Sequence, residues 1–262
     1  MKQKRGFEFS FLFGIALVGA VLYYGIGIST FLELFWHPQS LIIVIGGTFA
    51  ATYLNSPGLQ IKRLFSRLIV AFSFKSSSKL SHDITNLSAL STKIRQQGLD
   101  SIKQEITNCN DIFLKNALQL LADDITGNTL KDILIENIEN IKKRHLQSFS
   151  FFESLANYAP AFGLLGTVIG LIKLLANLQS PEQLGQGMAI AMVTTFYGLA
   201  LANLLFLPIS GRLRLLSFQE ILQKEMLLVG VVAISNNESA YVVKEKMQMF
   251  LSKQERKALW KK

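Results

Sequence analysis

The chain has little of what a disulfide, a metal site or a soluble globular fold requires. Its single cysteine, Cys109, permits no intramolecular disulfide and fits a reducing, cytoplasmic setting. Its three histidines are too scattered to indicate a metal site. Only 17% of the 262 residues are charged, whereas 50% are hydrophobic and the mean hydropathy is +0.32. This composition indicates a membrane protein.

Four apolar stretches are candidates to cross a bilayer, which takes roughly 20 residues for a hydrocarbon core of about 30 Å. We expect the first to be a retained span and not a cleavable signal peptide, because Tyr23 and Tyr24 stand where small residues would mark a cleavage site. The second is short, and we pair it with the first as a hairpin. The four predicted spans are residues 9–28, 40–55, 156–178 and 187–209.

The positive charges orient these spans. Apart from Lys173, every lysine and arginine lies in the N-terminus, in the long middle segment or in the C-terminal tail. The positive-inside tendency places those segments in the cytoplasm and the two short loops outside. Anionic lipid head groups account for the net charge of +9, so no nucleic acid partner is needed. The cytoplasmic segments are residues 1–8, 56–155 and 210–262, and the outer loops are residues 29–39 and 179–186.

The fold class predicted is therefore an all-α integral membrane protein, with four transmembrane helices in two hairpins and a large helical cytoplasmic loop between the second and third. Apolar residues recur at helical spacing from Leu80 to Ile94, from Ile112 to Leu121 and from Leu130 to Phe149. Thr129 and Asp132 resemble a capping box that starts the last of these helices. No glycine or proline interrupts this helix before the third span, so we expect it to continue into that span. We also expect a helix in the tail, from Arg212 to about Ile234.

Small and hydroxylated residues form a stripe on each of the last two spans. Residues three and four apart share a helix face, so Gly163, Thr167 and Gly170 face one way in the third span. Thr194, Thr195 and Gly198 form the corresponding stripe in the fourth. Such faces either pack closely, with the hydroxyls bonded to their own backbone, or line a narrow pathway. The residues alone leave both interpretations open.

Several segments resemble the flagellar motor stator A subunit, the MotA/PomA type within the MotA/TolQ/ExbB family. APAFGLLGTVIGLI and MAIAMVTTFYGLALANLLFLPI resemble its third and fourth spans, FWHPQSLIIVIGGTFAATYLNSP its second span, and RQQGLDSI a segment of its cytoplasmic loop. The resemblance implies an ion-conducting torque generator in the bacterial inner membrane, a homo-oligomer of five copies around two copies of a single-span MotB/PomB-type subunit. The third and fourth spans lack Asp, Glu and His, so that partner would supply the ion-carrying aspartate.

The resemblance also implies roles for individual residues. The ion pathway would involve the two small-residue stripes, and Pro160 and Pro208 would couple ion flow to conformational change. From the sequence alone, these prolines are interpreted as residues that mark the ends of helices. Sodium-driven members look like this sequence at GTVIG and TTFYG, which favours Na⁺ over H⁺ because sodium prefers oxygen ligands. The implied pathway residues are Thr167, Thr194, Thr195, Gly163, Gly170 and Gly198.

The cytoplasmic loop would contact a rotor switch protein of the FliG type. Arg95 stands where the family has an arginine that pairs with acidic rotor residues. The family's partner glutamate falls at Lys103, so this chain departs from the pattern, and Glu105 is a nearby acid that could substitute. Either Glu105 acts from a shifted position or the rotor interface is charged differently.

Two other classes stay open at this point. A TolQ/ExbB-like energiser of an outer-membrane system would share the family, and a scaffold without ion conduction would share the four spans. We expect no enzyme, because no nucleophile, acid pair or metal cluster converges at membrane depth. We expect no cofactor either, beyond the transported cation.

Overall fold

The computed structural model describes residues 9–26, 33, 35–55, 78–179 and 181–259. Within these ranges every regular element is a helix. The chain divides into two compact units: unit 1 comprises Met1–Phe74 and His145–Leu215, and unit 2 comprises Lys75–Arg144 and Leu216–Lys262. Parts of the predicted topology lie outside the described residues: the N-terminus 1–8, residues 27 and 28 of the first span, part of the first outer loop, the whole segment 56–77, and residues 260–262 of the tail.

Nine helices follow one another along the described residues. Two of them, α2 and α7, contain a π-helical stretch between α-helical parts. In order they are α1 (Phe9–Ile26), α2 (residues 38–55, made of Pro38–Leu41, Ile42–Gly46 and Gly47–Asn55), α3 (Ser78–Gln97), α4 (Lys103–Asn108), α5 (Ile112–Ala122), α6 (Gly127–Ala176), α7 (residues 181–235, made of Pro181–Ala200, Leu201–Phe206 and Leu207–Ser235), α8 (Ala240–Gln248) and α9 (Lys253–Leu259).

Two of these helices are long and apolar enough to cross a membrane, Gly127–Ala176 and Leu184–Ser235. Only 22% and 39% of their most apolar windows are buried, whereas the core helix of a soluble protein would be mostly buried. They contain the predicted third and fourth spans. Helices α1 and α2 overlap the predicted first and second spans, but the four-span arrangement stays a prediction.

Helix α6 confirms the expected continuity of the cytoplasmic helix with the third span, but its start differs from the prediction. The helix begins at Gly127, so Thr129 lies in its first turn and is not its N-cap. Gly127 has a φ of +63°, a left-handed conformation that glycine adopts without steric cost. The left-handed glycine, rather than the expected capping box, marks the change of direction before α6.

Pro160 and Pro208 both lie inside helices. Their interpretation from the sequence alone as markers of helix ends is therefore wrong. Pro160 is in the interior of α6, and Pro208 follows the π-helical stretch Leu201–Phe206 in α7. A proline lacks the N–H that would bond the carbonyl four residues earlier. In a π-helical turn each carbonyl accepts a hydrogen bond from the N–H five residues later instead of four. This change of partner lets α7 continue past Pro208 to Ser235. The predicted tail helix is thus a continuation of the fourth span.

Unit 2 is built around one apolar core. Helices α3 and α5 contribute the predicted apolar residues, except Ile112, which is 77% exposed. Ile112 is the first residue of α5 and directly follows the N-cap, Asp111. The Asp111 carboxylate accepts hydrogen bonds from the backbone N–H groups of Phe113 and Leu114. Helices α4 and α8, which sequence periodicity did not predict, complete the core. Its fully enclosed side chains include Ile84, Leu87, Ile102, Leu121, Leu130, Leu134, Met226, Leu227, Val231 and Met247.

Candidate functional site: the paired helices of unit 1 and the polar rim of unit 2

Glycines bring the long apolar helices α6 and α7 into backbone contact. A methyl group added to Gly170 of α6 would lie 2.6 Å from the carbonyl oxygen of Gly187 in α7. One added to Gly198 of α7 would lie 2.6 Å from the carbonyl oxygen of Ala159 in α6, and one added to Gly163 would lie 3.0 Å from that of Thr194. Ordinary contacts of such a methyl begin at 3.4 Å. The small-residue stripes predicted from the sequence therefore pack against each other.

The same helices pack differently before Gly163 in α6 and after Gly198 in α7. Apolar side chains, most of them large, fill the contact there, and two polar contacts join the helices. The Ser210 hydroxyl donates to the Phe149 carbonyl oxygen over 3.1 Å, and the Arg214 guanidinium pairs with Glu153. The two helices are thus held together by side chains in this part and lie closest at their glycines. The apolar residues are Phe151, Phe152, Leu155, Ala156, Ala159, Ala202, Phe206, Ile209 and Leu213.

Thr194 lies within this helix contact. Its side chain is fully buried, and it stands directly against Gly166 of α6, where no side chain larger than hydrogen fits. Its hydroxyl is 2.8 Å from the Ile190 carbonyl oxygen and 3.1 Å from that of Ala191. The hydroxyl can donate its one hydrogen to either of these two oxygens. Within the chain, Thr194 is therefore a packing residue with a satisfied hydroxyl.

Thr167 and Thr195 are only half-buried. The Thr167 hydroxyl donates to the Leu164 carbonyl oxygen over 2.6 Å, and the Thr195 hydroxyl donates to that of Ala191 over 3.1 Å. A hydroxyl that donates its hydrogen keeps its oxygen lone pairs as acceptors. Thr195 lies beside Gly163, one helical turn from Thr167 on the same α6 face. Each threonine thus keeps an acceptor oxygen, Thr167 on α6 and Thr195 on α7.

Helix α2 packs against α7 through a polar face that the sequence analysis missed. Ser40, Thr48 and Thr52 are fully buried, and their spacing by multiples of four residues is a signal that could have identified this face. A ring of Phe162 occupies the space beside Gly47. The Tyr197 hydroxyl of α7 donates to the Phe35 carbonyl oxygen. Helix α2 therefore contacts both α6 and α7.

The predicted rotor residues do not form one cluster. Glu105 of α4 pairs with Lys93 of α3 at 3.1 Å, whereas Arg95 is exposed and makes no hydrogen bond or ion pair with the described part of the chain. Two residues along an α-helix turn the side chain by about 200°, so Lys93 and Arg95 lie on different sides of α3. Lys103 is exposed on α4, and by the same rotation it lies on a different side of that helix from Glu105. The chain thus offers an arginine on one side of α3 and a Lys93–Glu105 pair on the other.

A cavity of about 490 Å³ lies beside that ion pair, between α3 and the α4–α5 segment. Cys109 lines it, and burial raises the pKa of the Cys109 thiol, with the nearby Asp111 carboxylate acting in the same direction. Behind it, the largely buried Lys224 ammonium lies 3.5 Å from Asp111 and over the ring of Phe113. In the described part of the chain, no three His, Cys, Asp or Glu side chains are placed to hold a metal ion. No sequence motif pointed to this cavity, because its lining comes from three separate elements.

Comparison with known proteins gives one consistent result. Residues 105–226 match the MotA/TolQ/ExbB proton channel family. Motility protein A of Borreliella burgdorferi is 33% identical over 92% of each chain, and Motility protein A of Treponema phagedenis is 32% identical over 94% of this chain and 93% of its own. The solved structure of the flagellar MotAB stator complex from Bacillus subtilis matches with a TM-score of 0.85 at 28% identity, over 94% of this chain and 97% of that one.

Proposed function

Since the chain belongs to the MotA/TolQ/ExbB proton channel family, as a flagellar motor stator A subunit of the MotA/PomA type, we propose that it couples an inward flow of sodium ions to torque on the rotor. The stator role follows from the family and from relatives of nearly equal length. Sodium as the ion is the finer step, and it rests on the side chains of the paired helices. Protons are the alternative.

The observation that carries the choice of ion is the pair of half-buried threonines. Thr167 and Thr195 each give their hydrogen to a carbonyl of their own helix, so their oxygens can accept but need not donate. A hard cation such as sodium binds to oxygen ligands of this kind, whereas a proton relay does not require them. Thr194, Gly163, Gly170 and Gly198 set the close helix contact that positions these two oxygens.

The charge that binds the ion has to come from a partner. The third and fourth spans contain no Asp, Glu or His, and a cation crossing a bilayer at low dielectric requires a compensating charge. We propose a single-span B subunit of the MotB/PomB type as the source of an aspartate, in an assembly of five A and two B subunits. The likeness to a solved MotAB stator complex supports such an assembly. The membrane is the bacterial inner membrane, with both termini of this chain in the cytoplasm.

Pro160 and Pro208 are proposed as the points where α6 and α7 bend during the cycle. Pro160 removes the regular donor of the Ala156 carbonyl, four residues earlier, and Pro208 removes that of Leu204, which lies in the π-helical stretch. Pro160 also lies at the closest contact, because a methyl added to Gly198 would come within 3.2 Å of its Cα. A bend at Pro160 would therefore change the spacing of the glycine contact directly.

The experiment that tests the function is a measurement of swimming speed against external sodium, at constant pH and ionic strength. The cells carry this protein as their only stator A subunit, together with its B subunit. A saturable rise with sodium supports the proposal. Swimming that is independent of sodium would agree with the stator role but would identify the ion as a proton. The threonines would then serve only in helix packing. Intact swimming after deletion, with loss of envelope function, would instead favour a TolQ/ExbB-like energiser.

A further inference from the structure

The residues of α7 on either side of Thr195 contact two different neighbours. Thr194 packs against Gly166 of α6. The two residues that follow Thr195 are an aromatic pair, and both contact Phe35, which lies three residues before the start of α2. The part of α7 that carries the proposed sodium ligand is therefore held by α6 from one direction and by the segment that precedes α2 from another.

Phe35 receives a ring contact and a hydrogen bond from this aromatic pair. The centroids of the Phe35 and Phe196 rings lie 4.5 Å apart, a spacing at which aromatic rings attract each other. The Tyr197 hydroxyl donates to the Phe35 carbonyl oxygen. Tyr197 is half-buried, and a buried hydroxyl without a partner would lose its hydration with nothing in return. The hydrogen bond therefore fixes the direction of the Tyr197 side chain.

The segment that supplies the acceptor is itself held in place. Phe35 is followed by the N-terminus of α2, where His37 is the N-cap and Pro38 lies in the first turn. The His37 Nδ1 accepts a hydrogen bond from the Ser40 N–H over 3.3 Å, and Ser40 is fully buried. A proline in the first turn has the backbone conformation that a helix requires. The Phe35 carbonyl thus lies two residues from a capped helix end.

A hydrogen bond at the Tyr197 hydroxyl restrains the rotation of α7 about its own axis. All side chains of a regular helix turn together, so any rotation that moves Tyr197 also moves Thr195. The phenol oxygen is at the tip of a long side chain, farther from the helix axis than a threonine hydroxyl, so a bond there resists even small rotations. The ligands of a functional site have to be held within about 0.5 Å. The glycine contacts with α6 set the distance between the helices but offer no side chain that resists rotation.

We propose that Tyr197, bonded to Phe35, is a positioning residue that holds the acceptor oxygen of Thr195 in place in the ion pathway. This inference rests on the sodium-driven function proposed above. Tyr197 gives its hydroxyl hydrogen to Phe35, and it acts on ion binding through Thr195 rather than by contact with the ion. The segment before α2 thereby influences the affinity for sodium without contributing a ligand.

The test is the half-saturating sodium concentration for swimming, measured with each variant as the only stator A subunit of the cell, together with the native B subunit. Tyr197→Phe removes the hydroxyl and keeps the ring. We expect it to raise this concentration about three- to tenfold, the factor that the net contribution of one hydrogen bond gives, with maximal speed close to native. A role in packing alone would lower maximal speed through fewer assembled complexes and leave the half-saturating concentration unchanged.

Two comparisons make the test specific for positioning. Tyr53 of α2 is 55% exposed, and its hydroxyl makes no hydrogen bond with the described part of the chain, so Tyr53→Phe is the matched control and should behave as the native protein. In a Thr195→Ala background, Tyr197→Phe should change the half-saturating concentration by less than about twofold, because the oxygen that Tyr197 positions is already absent.

Phe35→Leu perturbs the same contact from the other side. It removes the ring contact with Phe196 and keeps the carbonyl that accepts from Tyr197. This variant should also raise the half-saturating sodium concentration. It decides the question if Tyr197→Phe does not assemble, which is measured as the amount of A–B complex recovered from membranes.

The outcomes separate this inference from the proposed function. A native half-saturating concentration in Tyr197→Phe, or an equal shift with and without the Thr195 hydroxyl, overturns the positioning role and leaves the sodium-driven function intact. Native cells whose swimming does not depend on sodium overturn both the choice of ion and the positioning role. A shift in Tyr197→Phe that disappears in the Thr195→Ala background supports the inference.

Discussion

Replacing Gly170 by alanine should loosen the contact between α6 and α7 by an amount that the structure defines. The added methyl would lie 2.6 Å from both the Gly187 carbonyl oxygen and the Ala191 backbone nitrogen, and ordinary contact begins at 3.4 Å. Both neighbours are backbone atoms, which cannot rotate away. The helices therefore have to separate by about 0.8 Å at this level, the difference between those two distances.

The cost follows from that separation. Overpacking of this kind costs about 1–3 kcal/mol, while alanine gains about 0.5–1 kcal/mol over glycine in a helix, so we expect a net loss of about 1–2 kcal/mol. Gly163→Ala, whose methyl meets the Thr194 carbonyl oxygen at 3.0 Å, requires about half that movement and should lose less. Gly185 of α7 has nothing within 4 Å, so Gly185→Ala is the matched control and should be neutral or stabilising.

The measurement is the thermal unfolding midpoint of the purified A–B complex for the three variants, combined with swimming speed. We expect the order Gly185→Ala, native-like; Gly163→Ala, intermediate; Gly170→Ala, lowest. The reasoning would be refuted by a Gly170→Ala complex as stable as Gly185→Ala, since the two helices would then not be in backbone contact. A loss of swimming in Gly170→Ala at native stability would instead indicate that the glycine serves the ion pathway directly.

Three further predictions concern single side chains. Thr195→Ala should raise the half-saturating sodium concentration for swimming about tenfold while Thr195→Ser retains it, and equal loss in both would exclude the hydroxyl oxygen. Asp111→Ala should cost about 1 kcal/mol more than Asp111→Asn on chemical unfolding, because asparagine keeps the cap of α5; equal costs would contradict that cap. Burial raises the pKa of the Cys109 thiol above its ordinary value, so its alkylation should begin at higher pH in the folded chain than in denaturant, and the stabilisation from its protonated form should be lost as pH rises through the folded pKa; coincident profiles would contradict this burial.

Sequence periodicity predicted the helices whose apolar faces are long. Helices α3 and α5 and the run of α6 into the third span are where the spacing of leucines and isoleucines placed them. Helices α4 and α8 were not predicted because each is short and contributes few apolar residues to the shared core. The start of α6 was misplaced because the sequence does not show which glycines adopt a left-handed conformation, as Gly127 does.

The candidate site was predictable in its residues but not in its pairing. The glycine and threonine stripes follow from spacing by three and four, yet only the folded chain shows that Gly166 faces Thr194 while Thr167 and Thr195 stay half-exposed. Likewise, Arg95 and Glu105 were both predicted as rotor contacts, and only the folded chain shows that Glu105 pairs with Lys93 while Arg95 lies on another side of α3. Which residues meet across two helices depends on how each helix is rotated about its own axis. A single sequence does not determine that rotation.

The π-helical stretch in α7 has a consequence for the register of the fourth span. Thr194, Gly198, Ala202 and Phe206 are all buried and are spaced by four residues over three turns. In a regular α-helix each such step would drift by about 40° around the axis, and the line would leave the contact with α6. The wider turn at Leu201–Phe206 takes up this drift. A one-residue deletion within this stretch should therefore restore regular α-helical winding and leave Phe206 in phase with the threonines, whereas regular winding without the deletion would turn Phe206 and the residues after it by about 100°.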